Sequence, residues 1–185
     1  MRIYGNRPLK TLPGSSTRPT SARVREALFN IWQGTLANCR WLDLCAGNGS
    51  MGAEALCRGA GFVVGIEQSG RATSIIRQNW QAVVGEGQDF QIVRGDIRHK
   101  LPQIAGVPFD RIYFDPPYQS ALYSPVIDAI ARLSLLSPGG ELAVEHPPKI
   151  RQAFLVPGLE IVRQKVYGST ALTFYRKAAR SGDEN

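Results

Sequence analysis

From Arg40 to Glu145 the chain alternates two kinds of segment, and no other feature of the sequence restricts the fold as much. Short apolar runs at Arg40 to Leu44, Gly61 to Glu67, Phe90 to Arg94, Arg111 to Phe114 and Glu141 to Glu145 predict strands. Between them, Gly49 to Arg58, Arg71 to Val84, Ile97 to Leu101 and Tyr123 to Leu133 carry apolar residues at helical spacing. Strand, helix and strand in turn favour parallel neighbours joined by right-handed crossovers, because each helix must pack back onto the sheet it left. The fifth strand follows a turn at Pro138 to Gly140, and after it the pattern changes. The stretch LEIVRQKVYGSTALTFYRK holds two β-rich runs, Leu159 to Tyr167 and Leu172 to Arg176, around a Gly-Ser turn, which is a hairpin signal. The expected fold class is therefore α/β: a doubly wound, mostly parallel, seven-stranded, Rossmann-like sheet with a terminal antiparallel hairpin.

Ahead of the alternation, Val24, Ala27, Leu28, Ile31 and Trp32 recur at helical spacing, with Thr20 or Ser21 placed to cap the helix. We expect one domain over 1–178, made of a basic extension (1–20), a covering helix (21–33) and the sheet, with a disordered tail over 179–185. The 185 residues carry 22 Lys and Arg against 15 Asp and Glu, a formal charge of +7, which argues for an acidic partner such as nucleic acid. Arg2, Arg7, Lys10, Arg18, Arg23 and Arg25 crowd the start, where Glu26 is the only acid among the first forty residues. A basic arm and a merely solvated terminus are both compatible with that distribution. Cys39, Cys45 and Cys57 are odd in number and never spaced as CxxC, so neither a disulfide framework nor a metal cluster is expected. There is no run of about twenty apolar residues to span a bilayer. The first residues lack the apolar core of a signal peptide, and we expect a cytoplasmic protein.

The segment WLDLCAGNGSMG sets Gly47, Gly49 and Gly52 in a GxGxxG pattern after a strand and at the start of a helix. Glycines there permit a tight turn and close approach of a ligand to backbone N–H groups, although a ligand-free turn has the same composition. Glu67 closes the next strand, about twenty residues on, where a carboxylate accepts from ribose hydroxyls. Up to this point a nicotinamide dehydrogenase fits as well as a methyltransferase. Asp43, just ahead of the glycines, suits the ammonium of S-adenosylmethionine better than a pyrophosphate. In the RGDI segment, Asp96 is placed to accept from an adenine amine while Ile97 packs on the ring, or Asp96 simply caps a helix. The chain also has no room for a separate substrate domain, and methyl transfer is the leading reading.

The fourth strand ends in Asp115-Pro116-Pro117-Tyr118. Ligands of an open α/β sheet gather beyond the carboxyl ends of its strands, so this motif should reach the glycine loop. A nucleobase exocyclic amine is a poor nucleophile because its lone pair is delocalised into the ring. Asp115 and the carbonyl of Pro116 can accept its two hydrogens and turn the lone pair toward a methyl donor, with Pro116 presetting φ. Tyr118 would stack on a base that has left its helix. A surface turn is the alternative, since Asp-Pro steps favour turns. No general base is required, so His99 and His146 are read as structural or solvent-facing.

The ordered set DLCAGNGSMG, IE, RGDI, FDPPY and YGSTALTFY resembles class I S-adenosylmethionine-dependent methyltransferases of the amino-methylating group. With RIYGNRPLK and TRPTSARVREALFNIW in front, nearly the whole chain, to about Lys177, looks like the RsmD-type family, which methylates a guanine amine (N2) in bacterial 16S ribosomal RNA. The resemblance implies S-adenosyl-L-methionine contacts at Asp43, Ala46, Gly47, Gly49, Glu67, Gln68, Asp96, Ile97 and Thr20. It implies a catalytic set of Asp115, Pro116, Pro117 and Tyr118, and RNA contacts from Arg2, Arg7, Lys10 and Arg18. It further implies an assembled or assembling 30S particle as substrate, a monomer, and no metal or membrane. DPPY alone is shared with adenine and cytosine amino-methyltransferases, and an idle RNA-binding assembly factor is a rival of another class. Pro8 departs from a smooth basic hairpin, since proline is confined to a strand edge or breaks the strand.

Overall fold

The computed structural model describes residues 1–12, 21–150 and 155–179. A two-stranded ribbon opens the chain, β1 (Arg2–Ile3) against β2 (Arg7–Pro8), followed by helix α1 (Ala22–Ile31). Then β3 (Arg40–Leu44), α2 (Ser50–Cys57), β4 (Phe62–Glu67), α3 (Gly70–Gln81), β5 (Asp89–Arg94), α4 (Ile97–Lys100), β6 (Phe109–Phe114), α5 (Tyr123–Arg132) and β7 (Leu136–His146) alternate. The hairpin β8 (Leu159–Tyr167) and β9 (Thr170–Lys177) closes the fold. The main sheet has the order β5-β4-β3-β6-β7-β9-β8. Its first five strands are parallel and β9 runs antiparallel to both β7 and β8, as the alternation and the closing hairpin predict.

Side chains on the central strands alternate between two cores. Trp41, Tyr113 and Ala143 face α1, α2 and α3, where they meet Leu28, Phe29, Trp32 and Trp80. Leu42, Ile112 and Leu142 face the other way, toward Ile97, Val126, Ile127 and Ile130 of α4 and α5. Buried on both sides, these strands read as continuous apolar runs. Helix α1 is capped by Ser21, whose Oγ accepts from the Val24 amide at 3.2 Å. It is tied to the sheet by Trp32, whose Nε1 donates to Glu141 of β7 at 2.6 Å.

One indole organises the glycine segment. Trp80 of α3 is fully buried and donates its Nε1–H to the Gly49 carbonyl at 2.7 Å. A Cβ at Gly52 would lie 2.3 Å from its ring, one at Gly65 2.5 Å, and one at Gly49 2.7 Å. These glycines therefore make room for tryptophan between α2, α3 and β4.

One departure from the sequence reading, and the edge position that it expects of Pro8, have local causes. Strand β7 begins at Leu136, ahead of the Pro138-Gly139-Gly140 step, because Leu136 pairs with Phe109 while Glu141 pairs with Arg111. The extra residues bulge out at Gly139, whose φ is 72°, and pairing resumes beyond them. Pro8 sits at the margin of its ribbon opposite Arg2, where no donor is demanded of it, while Ile3 and Leu9 anchor the ribbon in the core.

Candidate active site

Parallel pairing brings the carboxyl ends of β3, β4, β5, β6 and β7 to one edge of the sheet. A cavity of about 1170 Å³ opens there. At the end of β3, Cys45 takes a left-handed φ of 62° and turns the chain into the glycine loop. Glu67, at the end of β4, grips that loop: one carboxylate oxygen accepts from the Gly47 amide at 2.9 Å and the other from the Ser69 amide at 2.8 Å. Each oxygen keeps a second lone pair, the capacity a ribose diol requires.

Asp43 lines the cavity yet is only 1% exposed. Its Oδ2 accepts from the Gly52 amide at 3.0 Å. Burial pushes its carboxyl up to about 8, the Gly52 N–H works against that, and the nearby charge of Glu67 adds to it. Asp96 caps α4 by accepting from the Arg98 amide at 2.9 Å, and the Arg98 guanidinium also clasps it. Those bonds bring its carboxyl down to about 2, so it is ionised at neutral pH. Ile97 beside it is buried against the cavity. Asp96 thus caps α4 as one reading of the sequence has it, and it also stands in the cavity wall.

The second half of the site leaves β6. The Asp115 amide donates to the Leu44 carbonyl at 3.4 Å, so the Asp-Pro-Pro-Tyr segment departs beside the glycine loop. Asp115, Pro116, Pro117 and Tyr118 line the same cavity as Ala46, Gly47, Glu67, Gln68 and Asp96. The Tyr118 hydroxyl is pinned between Glu145 Oε1 at 3.2 Å and Thr170 Oγ1 at 3.0 Å. Desolvation leads in raising its phenol to about 12, which keeps it a neutral donor.

Other predicted site residues fall elsewhere. Gly49 is not in the cavity wall: its φ of 74° starts α2, and its role is the Trp80 seat described above. Thr20 and Arg18 lie outside the described residues. Arg2, Arg7 and Lys10 are exposed, with Arg2 bonded to the Asn6 carbonyl, Arg7 to that of Val83 and Lys10 Nζ to Gln78. Asn79 ties this arm to the glycine loop, accepting from the Lys10 amide at 2.9 Å and donating to the Asn48 carbonyl at 2.8 Å. Thr11 and Leu12, next along the arm, reach the cavity rim. The sequence reading missed Glu145, Tyr113 and Thr170, which also line the cavity. The acid that ends the predicted fifth strand, Glu145, was the available signal.

Comparison with known proteins adds three kinds of likeness. A family model described as "Conserved hypothetical protein 95" matches residues 1–176. YlbH of Bacillus subtilis (strain 168), a candidate rRNA methyltransferase, is 30% identical over 92% of this chain and 94% of its own length. Ribosomal RNA small subunit methyltransferase D of Escherichia coli (strain K12) is 27% identical over 94% of this chain and 85% of its own. Among solved structures, yhhF, a candidate methyltransferase from Escherichia coli, matches with a TM-score of 0.84 at 28% identity, over 97% of this chain and 99% of that one.

Proposed function

This chain belongs to the conserved hypothetical protein 95 family, and we propose that it methylates small-subunit ribosomal RNA, using S-adenosylmethionine and acting on a guanine exocyclic amine. The observation that carries the reading is the meeting of Asp115 and Tyr118 with Gly47, Glu67 and Asp96 in one cavity at the carboxyl edge of the sheet.

The donor set suits that cofactor. Asp43 offers a carboxylate to an ammonium, Glu67 retains lone pairs for ribose hydroxyls, and Asp96 with Ile97 forms a polar and apolar pair for a purine. Bound there, S-adenosylmethionine supplies a methyl group made electrophilic by a sulfonium.

The protein's own groups do the rest. Asp115 accepts one hydrogen of the target amine and the Pro116 carbonyl accepts the other, which localises the nitrogen lone pair and aims it. Proline fixes the backbone in advance, so little freedom is lost on binding. Tyr118 offers a ring to the extruded base. Once alkylated the nitrogen is cationic, and its surplus proton passes to water without a tuned base. The exposed Arg2, Arg7 and Lys10 supply a positive field for phosphate.

The test is transfer of tritiated methyl from S-adenosylmethionine by the full chain to small subunits from cells lacking this protein. Label recovered as N2-methylguanine in the ribosomal RNA supports the reading. Label entering only DNA, or none at all, overturns it.

A further inference from the structure

Beside the catalytic motif lies a buried polar group the mechanism leaves unused. Glu145, near the end of β7, is 4% exposed yet lines the cavity. Its Oε2 accepts from the Tyr113 hydroxyl at 2.5 Å and its Oε1 from Tyr118 at 3.2 Å. Thr170 of β9, which is 7% exposed, adds the second anchor on the Tyr118 hydroxyl at 3.0 Å. Three strands thus meet around the Tyr118 hydroxyl and its carboxylate partner: β6 through Tyr113, which bonds Glu145, β7 through Glu145 itself, and β9 through Thr170, which bonds Tyr118. Tyr118 has no strand of its own, since it follows Asp115, Pro116 and Pro117 in a loop.

A buried carboxylate is costly to desolvate and persists where hydrogen bonds satisfy it. Tyr113 alone would serve that purpose for one oxygen. The bond to Tyr118 instead connects the sheet to an aromatic ring carried on a loop. A loop ring left to wander would lose freedom whenever a base stacked on it, at the expense of affinity. We propose that Glu145, with Thr170, is a positioning pair that holds the Tyr118 ring in place to receive the extruded base. The inference rests on the functional reading above and adds to it a residue that touches neither methyl donor nor reacting amine. Tethered through its hydroxyl, Tyr118 keeps both ring faces free of that bond. This gives a physical reason for tyrosine rather than phenylalanine at this position.

The experiment is a double-mutant cycle on steady-state kinetics with small subunits as substrate, paired with calorimetric binding of S-adenosylmethionine. Tyr118→Phe and Glu145→Ala should each raise KM for the subunit about tenfold, with kcat reduced much less and cofactor affinity within twofold of the parent. Their combination should be no worse than either alone, because both cut the same tether. Glu145→Gln, which keeps a hydrogen-bonding group in place, should recover most of the loss. Should Glu145→Ala fail to fold by circular dichroism, Thr170→Val with Tyr118→Phe gives an equivalent cycle. Additive effects, or a loss confined to cofactor affinity, overturn the inference while leaving the functional reading standing. A parent protein inert toward ribosomal RNA would remove both.

Discussion

The amide of Asp115 bonds the carbonyl of Leu44, and through that contact the tips of β6 and β3 leave the sheet side by side. Asp115 and the glycine loop therefore face one cavity rather than opposite edges. Replacing Asp115 with Ala keeps the backbone contact and removes only the carboxylate. Methyl transfer should fall by about 10²-fold or more, the scale of a lost orienting group. Affinity for S-adenosylmethionine, measured by calorimetry, should stay within twofold. A variant as active as the parent would show that the amine is oriented by something else.

Glu67 reads as a ribose acceptor from sequence, but its carboxylate also fastens Gly47 and Ser69. Glu67→Ala should therefore weaken the cofactor twice over, by removing an acceptor and by loosening the loop that faces it. Charge-assisted hydrogen bonds contribute about 1.5–3 kcal/mol each, so affinity should drop by roughly 10- to 100-fold. Calorimetric titration checks this, and an unchanged dissociation constant would put the ribose elsewhere.

Gly52 meets Trp80 so closely that an added methyl carbon would lie 2.3 Å from the indole and 3.0 Å from Val63. Gly52→Ala should cost about 1–3 kcal/mol through overpacking, seen as a Tm lower by several degrees. Trp80→Leu is itself destabilising, but adding Gly52→Ala to it should cost much less than in the parent. Equal costs in both backgrounds would mean that the indole does not set the glycine.

That same contact marks how far a sequence can be read. The alternation of runs from Arg40 onward predicts parallel strands joined by helices, and the closing Gly-Ser turn predicts the antiparallel hairpin, because periodicity and turn chemistry are local properties. Asp43, Glu67, Asp96 and the Asp115 motif were legible for the same reason, each standing at the end of a strand. Gly49 was not, since a glycine that turns a loop and one that clears a tryptophan thirty-one residues away look alike in one dimension. Nor was the Glu145 network, which joins Tyr113 and Tyr118 around the end of β6 to Glu145 on β7 and Thr170 on β9. The bulge in β7 hid behind Pro138 and Gly139, which end strands more often than they interrupt them.

If Asp43 meets the cofactor as proposed, one proton ties stability to ligand binding. Its carboxyl titrates near 8 in the folded protein against 3.8 when unperturbed, chiefly because it is buried. Between those values the folded chain holds a proton that the unfolded chain has lost, so this group makes stability fall as pH rises from about 4 to about 8. Asparagine keeps an oxygen for the Gly52 amide and cannot ionise. Asp43→Asn should therefore match the parent's Tm near pH 4 and exceed it at pH 8, a divergence that thermal melts across the range would read directly. The bound sulfonium and ammonium of S-adenosylmethionine favour the ionised carboxylate, so at pH 7 the parent should release a proton on binding. Calorimetry in buffers of different ionisation enthalpy should detect that proton in the parent and lose it in Asp43→Asn, which should also bind more weakly. Parallel melting curves, or equal proton release from both proteins, would show that Asp43 is not the group that responds to the cation.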